Sequence, residues 1–395
     1  VKLVSFILFL LLTLPCYSQT DNGKGNGGMN NGGGNGNSQG GAGGGNNGRR
    51  GNPKPEPPES MPMPTPAIPG RPIVLAPGED PKALVSIAAP TVSQVAALPT
   101  VVTQSNVSIA RQILQSHFTS ETIALQDQLT NPTNYAGREI GIWAASHGDF
   151  VNEGTPTTRV TTAGVIVATD RRFGCIVLGL AGGYSHSWSN DIDMNTGWGG
   201  GYVLWSNKRF YVNETVIGGG SSFETTREGL LGVAKANSAS WFFSENTQIG
   251  YNFKFNKLTI GPYALLQYAL SGNGTFSEHG SDAPVTIHSN SDSSLVSDVG
   301  LNTSYEFKRL IFNTNIAWEH EYTDTTSFTT VNIVGIPSSA TTIAGSSLGH
   351  DSIIVSAGIA YKLSDRVSIG VGYNGQFLRK NYESNSVTAT IKIGF

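Results

Sequence analysis

Few positions in this chain have residue types and spacing that could do chemistry. Asp191, Asp193 and Asn195 alternate like the oxygen ligands of a calcium loop. The glycine of such a loop, however, falls one place late at Gly197, and the bidentate-acid position holds Tyr202. An acidic external loop explains the same residues. His279 with Asp282, and His350 with Asp351, are histidine–acid neighbours that a rim-borne hydrolytic site could use. Closeness in sequence sets no geometry, and the plainer reading is solvated loop residues. His320-Glu321 lacks the second histidine of a zinc motif. No serine-esterase elbow is expected. Glycine pairs around Gly25 and Gly27 imitate a phosphate loop, but no strand precedes them. The reading assigns no catalytic, cofactor-binding or metal-ligating residue and no cofactor.

The elements around these positions do not suit an ordinary soluble enzyme. Charged residues are 13% of the chain, about half the usual ~25%. The net charge of −3 argues against a nucleic-acid partner. No apolar run reaches the ~18 residues of a spanning helix. Residues 1–18 read as a signal peptide: Lys2 is the positive start, Leu3 to Leu14 the apolar stretch, and Cys16-Tyr17-Ser18 spaces small residues for cleavage. Val1 reads as a non-AUG start. Pro15 disfavours the lipoprotein alternative in which Cys16 is acylated. Residues 19–51 form a Gly/Asn-rich tail; 21–50 alone hold 14 glycines and 8 asparagines, too little apolar surface to offset the cost of ordering. Residues 52–103 carry most of the 19 prolines and read as an extended, polyproline-like linker.

Helical spacing begins near residue 104 and ends by 132. Val107, Ala110, Ile113, Leu114, Phe118, Leu125 and Leu129 recur every three to four places, with Gln112, Gln115, Gln126, Asp127 and Gln128 on the other face. Thr119-Ser120 reads as a break with a re-cap, and Asn131-Pro132 as the stop. From Arg138 onward the period becomes two. Val387, Ala389, Ile391, Ile393 and Phe395, for example, alternate with Thr388, Thr390, Lys392 and Gly394. Segments of this kind lie near 138–149, 159–170, 173–186, 196–206, 209–221, 239–253, 258–270, 291–306, 309–322, 350–362, 365–378 and 385–395.

Their connections alternate long and short, the short ones at Arg171-Arg172, Asn207-Lys208, Asn256-Lys257, Lys308-Arg309 and Ser364-Asp365. An even count with one-sided long loops predicts an all-β fold over 138–395: a 12-stranded antiparallel transmembrane β-barrel, short turns in the periplasm, with the helix in or near its pore. A soluble β-sandwich or lipocalin explains the alternation but not this asymmetry. Aromatics including Tyr202, Trp205, Trp241, Tyr251, Phe307 and Trp318 are expected in interfacial girdles. The short turns are rich in Lys and Arg, and the long loops lean acidic.

The stretch Val367 to Phe395 resembles the autotransporter β-domain, the type V secretion translocator. The likeness rests on the terminal Ile393-Gly394-Phe395, on Gly372-Tyr373, Phe377 and Tyr382, and on Trp318-Glu319-His320-Glu321-Tyr322. Gly141-Ile142-Trp143 with Gly148, and Gly179 through Tyr184, are similar too. This resemblance implies a helix threading the pore, a passenger carried to the surface, and a terminal Phe395 read by the outer-membrane barrel assembly machinery. The passenger expected ahead of the helix is short and rich in Gly and Pro.

If the faces are assigned correctly, Glu319, Glu321, Asn313, Asn315, Gln267, Asp298, Arg366 and Lys392 line the lumen, and Glu319 and Glu321 seat the helix. The expected function is an outer-membrane translocator and anchor, embedded in the lipid bilayer, carrying a flexible N-terminal segment to or through the membrane. The alternatives are a structural protein or porin-like channel with a periplasmic tail and, further behind, a loop-borne surface hydrolase. No surface or cell-wall ligand of the tail is identified.

Overall fold

The computed structural model describes residues 81–130, 140–154, 158–228, 232–281 and 283–395. The signal peptide, the Gly/Asn tail and the first part of the proline-rich linker lie outside these residues. From Ile140 the two-residue period becomes a closed antiparallel barrel of twelve strands: β1 (Ile140–Glu153), β2 (Thr158–Phe173), β3 (Ile176–Trp188), β4 (Ile192–Asn207), β5 (Phe210–Glu228), β6 (Val233–Tyr251), with its short continuation β7 (Phe253–Phe255), β8 (Leu258–Asn273), β11 (Asn290–Phe307), β12 (Leu310–Glu321), β15 (Asp351–Lys362), β16 (Val367–Arg379) and β17 (Tyr382–Gly394). Strand β1 closes the barrel on β17 over thirteen paired positions, from Gly141 opposite Gly394 to Glu153 opposite Tyr382. Closure leaves no unpaired edge facing hydrocarbon.

The short turns form where Gly174, Lys208, Asn256 and Lys308 adopt positive φ, as tight hairpins demand. The first lies at Gly174-Cys175 rather than Arg171-Arg172, because β2 runs on to Phe173. The opposite end is longer, but not mainly through loops. The third connection is only the three residues between Trp188 and Ile192, while β5 and β6 reach 19 residues each and project past the barrel. Two connections there are long and fold a second, four-stranded sheet from β9 (Phe276–Ser277), β10 (Val285–Ile287), β13 (Thr326–Ile333) and β14 (Ile336–Ser347).

Helix α1 (Pro81–Thr130) is one continuous 50-residue helix. Residues 81–103, expected to be extended, are helical. Pro81 suits the first turn, whose N–H groups have no intrahelical partner. Beyond it, Val92, Ala96, Leu98, Val101 and Val102 bury against Val285, Ile287, Val331 and Ile333 of the small sheet, and this packing outweighs the loss of hydrogen bonds at Pro90 and Pro99. Nor does the helix break at Thr119, whose hydroxyl bonds back to Gln115 O at 3.0 Å. The second half lies within the barrel, where Ile113, Leu114 and Phe118 pack on Trp143, Ile166, Ala168, Ile217 and Phe242.

The wall must be thin for such a helix to fit. A Cβ on Gly179 would sit 2.1 Å from the Tyr202 ring, and one on Gly183 2.4 Å from the Trp198 ring. Glycine there lets rings lie flat between wall and helix. Tyr202 thus faces inward, not into an interfacial girdle. The outward face carries an apolar band, including Val165, Val167, Leu180, Ile316 and Val371, edged by exposed aromatics: Tyr184, Trp241, Trp318 and Tyr373 at the long-loop end, Phe173, Tyr251, Phe307 and Tyr361 at the short-turn end.

Candidate functional site: the helix-filled lumen

Strands bring inward polar residues to the helix at four levels. At the first, nearest the long-loop end, Arg111 donates to Glu319 at 2.7 Å and to Gln267 Oε1 at 2.6 Å, with Asp298 at 3.9 Å. Glu319 also accepts from Ser352 at 3.0 Å and Gln376 at 2.6 Å. Arg111 and both acids are buried, so the guanidinium is flanked by two carboxyl groups in an almost dry site. One turn and a half further, His117 meets Asp170 at 3.1 Å and stacks on Trp143 with ring centres 4.5 Å apart. The Tyr202 hydroxyl donates to the same Asp170 at 2.8 Å and accepts from the Trp143 indole at 3.1 Å.

At the third level Glu121 pairs with both Arg172 and Lys392. At the fourth, Gln126 donates to Ser206 and accepts from Asn252, each at 3.1 Å, and Asp127 pairs with Lys254. Arg111 points to β8, β11 and β12; His117 and Glu121 point to β1, β2, β4 and β17. The helix is therefore gripped from opposite sides of the wall. Paired charges are tolerable in such a site where single ones are not, although Arg111 Nε and both Asp298 carboxyl oxygens have no hydrogen-bond partner.

Of the lumen candidates, Glu319, Gln267 and Asp298 converge on Arg111, and Lys392 reaches Glu121 and, at 3.4 Å, Ser120. Asn315 donates to Tyr263 at 2.8 Å and to Asn302 at 2.6 Å; Asn313 lines a polar hollow beside Gln112, Gln115 and Ser116. Two differ from expectation. Glu321 faces inward but binds Ser294, Leu295 N and Thr323, fixing the start of the long connection instead of the helix. Arg366 sits exposed in the β15–β16 turn, outside the lumen, because β16 starts only at Val367. Phe395 lies at the short-turn end, its N–H donating to Ile140 O at 2.8 Å. Arg111, His117, Glu121, Asp170 and Arg172 are additional gripping residues. A buried charge on an otherwise apolar helix face, as at Arg111, is the sequence signal that could have found them.

Among the described residues the rim positions do not assemble a reaction centre; Asp282, the neighbour of His279, lies outside those residues. His320 pairs with Asp351 at 2.9 Å, while the Nδ1 of His350 meets Glu321 O at 2.8 Å. Asn195 accepts from Tyr184, and Asp191 lies in the β3–β4 turn, its carboxyl raised above the usual range by partial burial. Among the described residues no three His, Cys, Asp or Glu side chains are placed to hold a metal ion. The spelling of a serine elbow does occur, at Gly345-Ser346-Ser347-Leu348-Gly349. It joins β14 to β15, a strand-to-strand connection, where the elbow requires a strand-to-helix turn.

A barrel with a helix held through it is the architecture of a translocator, and the family model described as autotransporter beta-domain matches residues 142–374. The chain belongs to the autotransporter β-domain family. The translocator domain of the autotransporter NalP from Neisseria meningitidis is similar in fold, with a TM-score of 0.56 at 14% identity over 74% of this chain and 99% of that one. The β-domain of the Bordetella autotransporter BrkA aligns over 65% of this chain and all of that one, at 14% identity and a TM-score of 0.48. An extracellular serine protease of Serratia marcescens is 23% identical over 264 residues, 63% of this chain. The chain spans about a quarter of that relative's length. As an autotransporter β-domain, this barrel is an outer-membrane translocator.

Proposed function

We propose that the barrel is both translocator and anchor for the Gly- and Pro-rich segment ahead of the helix, which it holds on the cell surface, and that this segment does no chemistry. The observation carrying this reading is the polarity of α1. Its C-terminal end adjoins the short turns, through Asp127 with Lys254. Its N-terminal half packs at the long-loop end among Ile287, Val331 and Ile333. Residues ahead of Pro81 are thus joined to the end of the helix on the long-loop side, which in this family faces outward. The reading includes export through a cleaved signal peptide at 1–18, and recognition of Phe395 by the barrel assembly machinery. It also makes Glu319, Gln267, Asp298 and Lys392 the wall residues that seat the helix.

An epitope tag within 21–50, followed by protease shaving of intact cells, tests the surface position. Loss of the tag while the barrel persists is the expected result; a fully protected tag sinks the proposal and favours the channel with a periplasmic tail.

A further inference from the structure

The short-turn rim is basic along one arc. Going round the wall from β4 to β12, three turns follow one another: Lys208-Arg209 between β4 and β5, Asn256-Lys257 between β7 and β8, and Lys308-Arg309 between β11 and β12. All five cations are exposed. Two carboxylates of this end, Asp127 and Glu306, are held by other lysines, Lys254 and Lys362. The turns on either side carry no such excess. Gly174-Cys175 has no charge, and Ser364-Asp365-Arg366 has one of each sign.

Two features show that the charge is not incidental to the turns. Lys208 and Lys308 stand at φ of 53° and 57°. This left-handed backbone favours glycine or asparagine, and asparagine is what the neighbouring turn has at Asn256, with φ of 56°. Turn chemistry alone therefore does not call for lysine. The second feature is the girdle. Phe307 faces out and is exposed, and the ammonium groups of Lys257 and Lys308 lie 5.8 and 5.6 Å from the centre of its ring. Attraction to the ring holds both cations beside the aromatic girdle instead of in the water beyond it. Exposed rings of Phe210, Tyr251, Phe253 and Phe255 continue that girdle along the arc.

Girdle aromatics sit at the level of the lipid headgroups. Cations at that level attract anionic headgroups, and phosphodiester oxygens accept strong hydrogen bonds from ammonium and guanidinium groups. A zwitterionic headgroup brings an ammonium of its own, which five cations repel. The acyl chains of a bound lipid would lie on the exposed apolar side chains of the same strands, such as Val299, Leu301 and Ile316. A soluble acidic molecule would meet the charges but have no use for the rings and the apolar wall.

We propose that the β4–β12 arc of the short-turn rim binds anionic phospholipid. Headgroups that carry a phosphodiester and no cation seat among Lys208, Arg209, Lys257, Lys308 and Arg309, and their chains lie along the wall above.

The test titrates the folded full-length protein in detergent micelles with phosphatidylglycerol or phosphatidylcholine and reads bound lipid by native mass spectrometry. Phosphatidylglycerol should bind about tenfold more tightly, and the preference should shrink as salt is raised. A variant combining Lys208→Asn, Lys257→Gln and Lys308→Asn should bring the two lipids within about twofold of each other. Asparagine suits the left-handed backbone, so this variant keeps its turns, and heat-modifiable migration in gels shows that it is folded. Lys235→Gln removes a cation at the long-loop end and should leave the preference unchanged. Equal binding of the two lipids by the parent, or a tenfold preference that survives in the triple variant, overturns the proposal. So does displacement of the lipid by an equal concentration of glycerophosphoglycerol, the same headgroup without chains. That outcome assigns the arc to a phosphodiester taken from solution.

Discussion

Arg111 gathers three of the lumen's polar groups at one point. Its guanidinium is reached by Glu319, Gln267 and Asp298 from three strands, all buried. Removing one member of a buried, hydrogen-bonded charge pair typically costs ~3–5 kcal/mol, because the other charge is left without compensation. Arg111→Ala should therefore lower barrel stability by about that amount in urea titrations of the protein in micelles. Arg111→Ala with Glu319→Gln should lose less than the sum of the two single changes. Strict additivity would mean that the contact carries no coupling. The partners on the wall were legible from the period of two, since once one inward residue of β12 is known, Asn313, Asn315 and Glu319 follow. Arg366 was misplaced because the alternation was continued into a turn, where it no longer holds.

Strands were the most legible elements, since lipid on one side and lumen on the other force alternation along their whole length. All twelve appear, with shifted ends. The helix was legible only where it faces the wall. Its first twenty-odd residues contain prolines, which locally favour an extended chain, and burial of Val92 to Val102 against the small sheet and the long-loop ends of barrel strands offsets that preference. That sheet was itself illegible: β9 and β10 are two and three residues long and sit inside long connections. It forms because Phe276, Val285, Ile287, Val331 and Ile333 share an apolar core with the helix. The buried Arg227–Glu278 pair, bonded at 3.0 and 2.6 Å, ties the first of those connections to β5. Ile287 is wholly buried in this core. Ile287→Ala should cost ~2–5 kcal/mol locally. The expected sign is faster proteolysis of residues 92–103 in intact membranes, with the heat-modifiable barrel itself unchanged. Unchanged protection would show that the sheet does not hold the helix.

At the scale of the molecule, barrel and helix make one closed body, with a narrow polar hollow between them beside Gln112, Gln115 and Asn313. Planar-bilayer recordings should show low conductance for the full-length protein and a marked rise when residues 106–130 are deleted. Equal conductance in both would mean that the helix does not fill the pore in the membrane. The length of the helix has a separate consequence. At ~1.5 Å per residue, 50 residues extend about 75 Å, against a hydrocarbon layer of ~30 Å. From Thr103, level with Ser240 of the wall, back to Pro81 is a further ~33 Å of rod. It works as a mast. A segment joined ahead of Pro81 therefore starts clear of the bilayer, and a binding motif there would need no folded stalk of its own to stand away from the membrane.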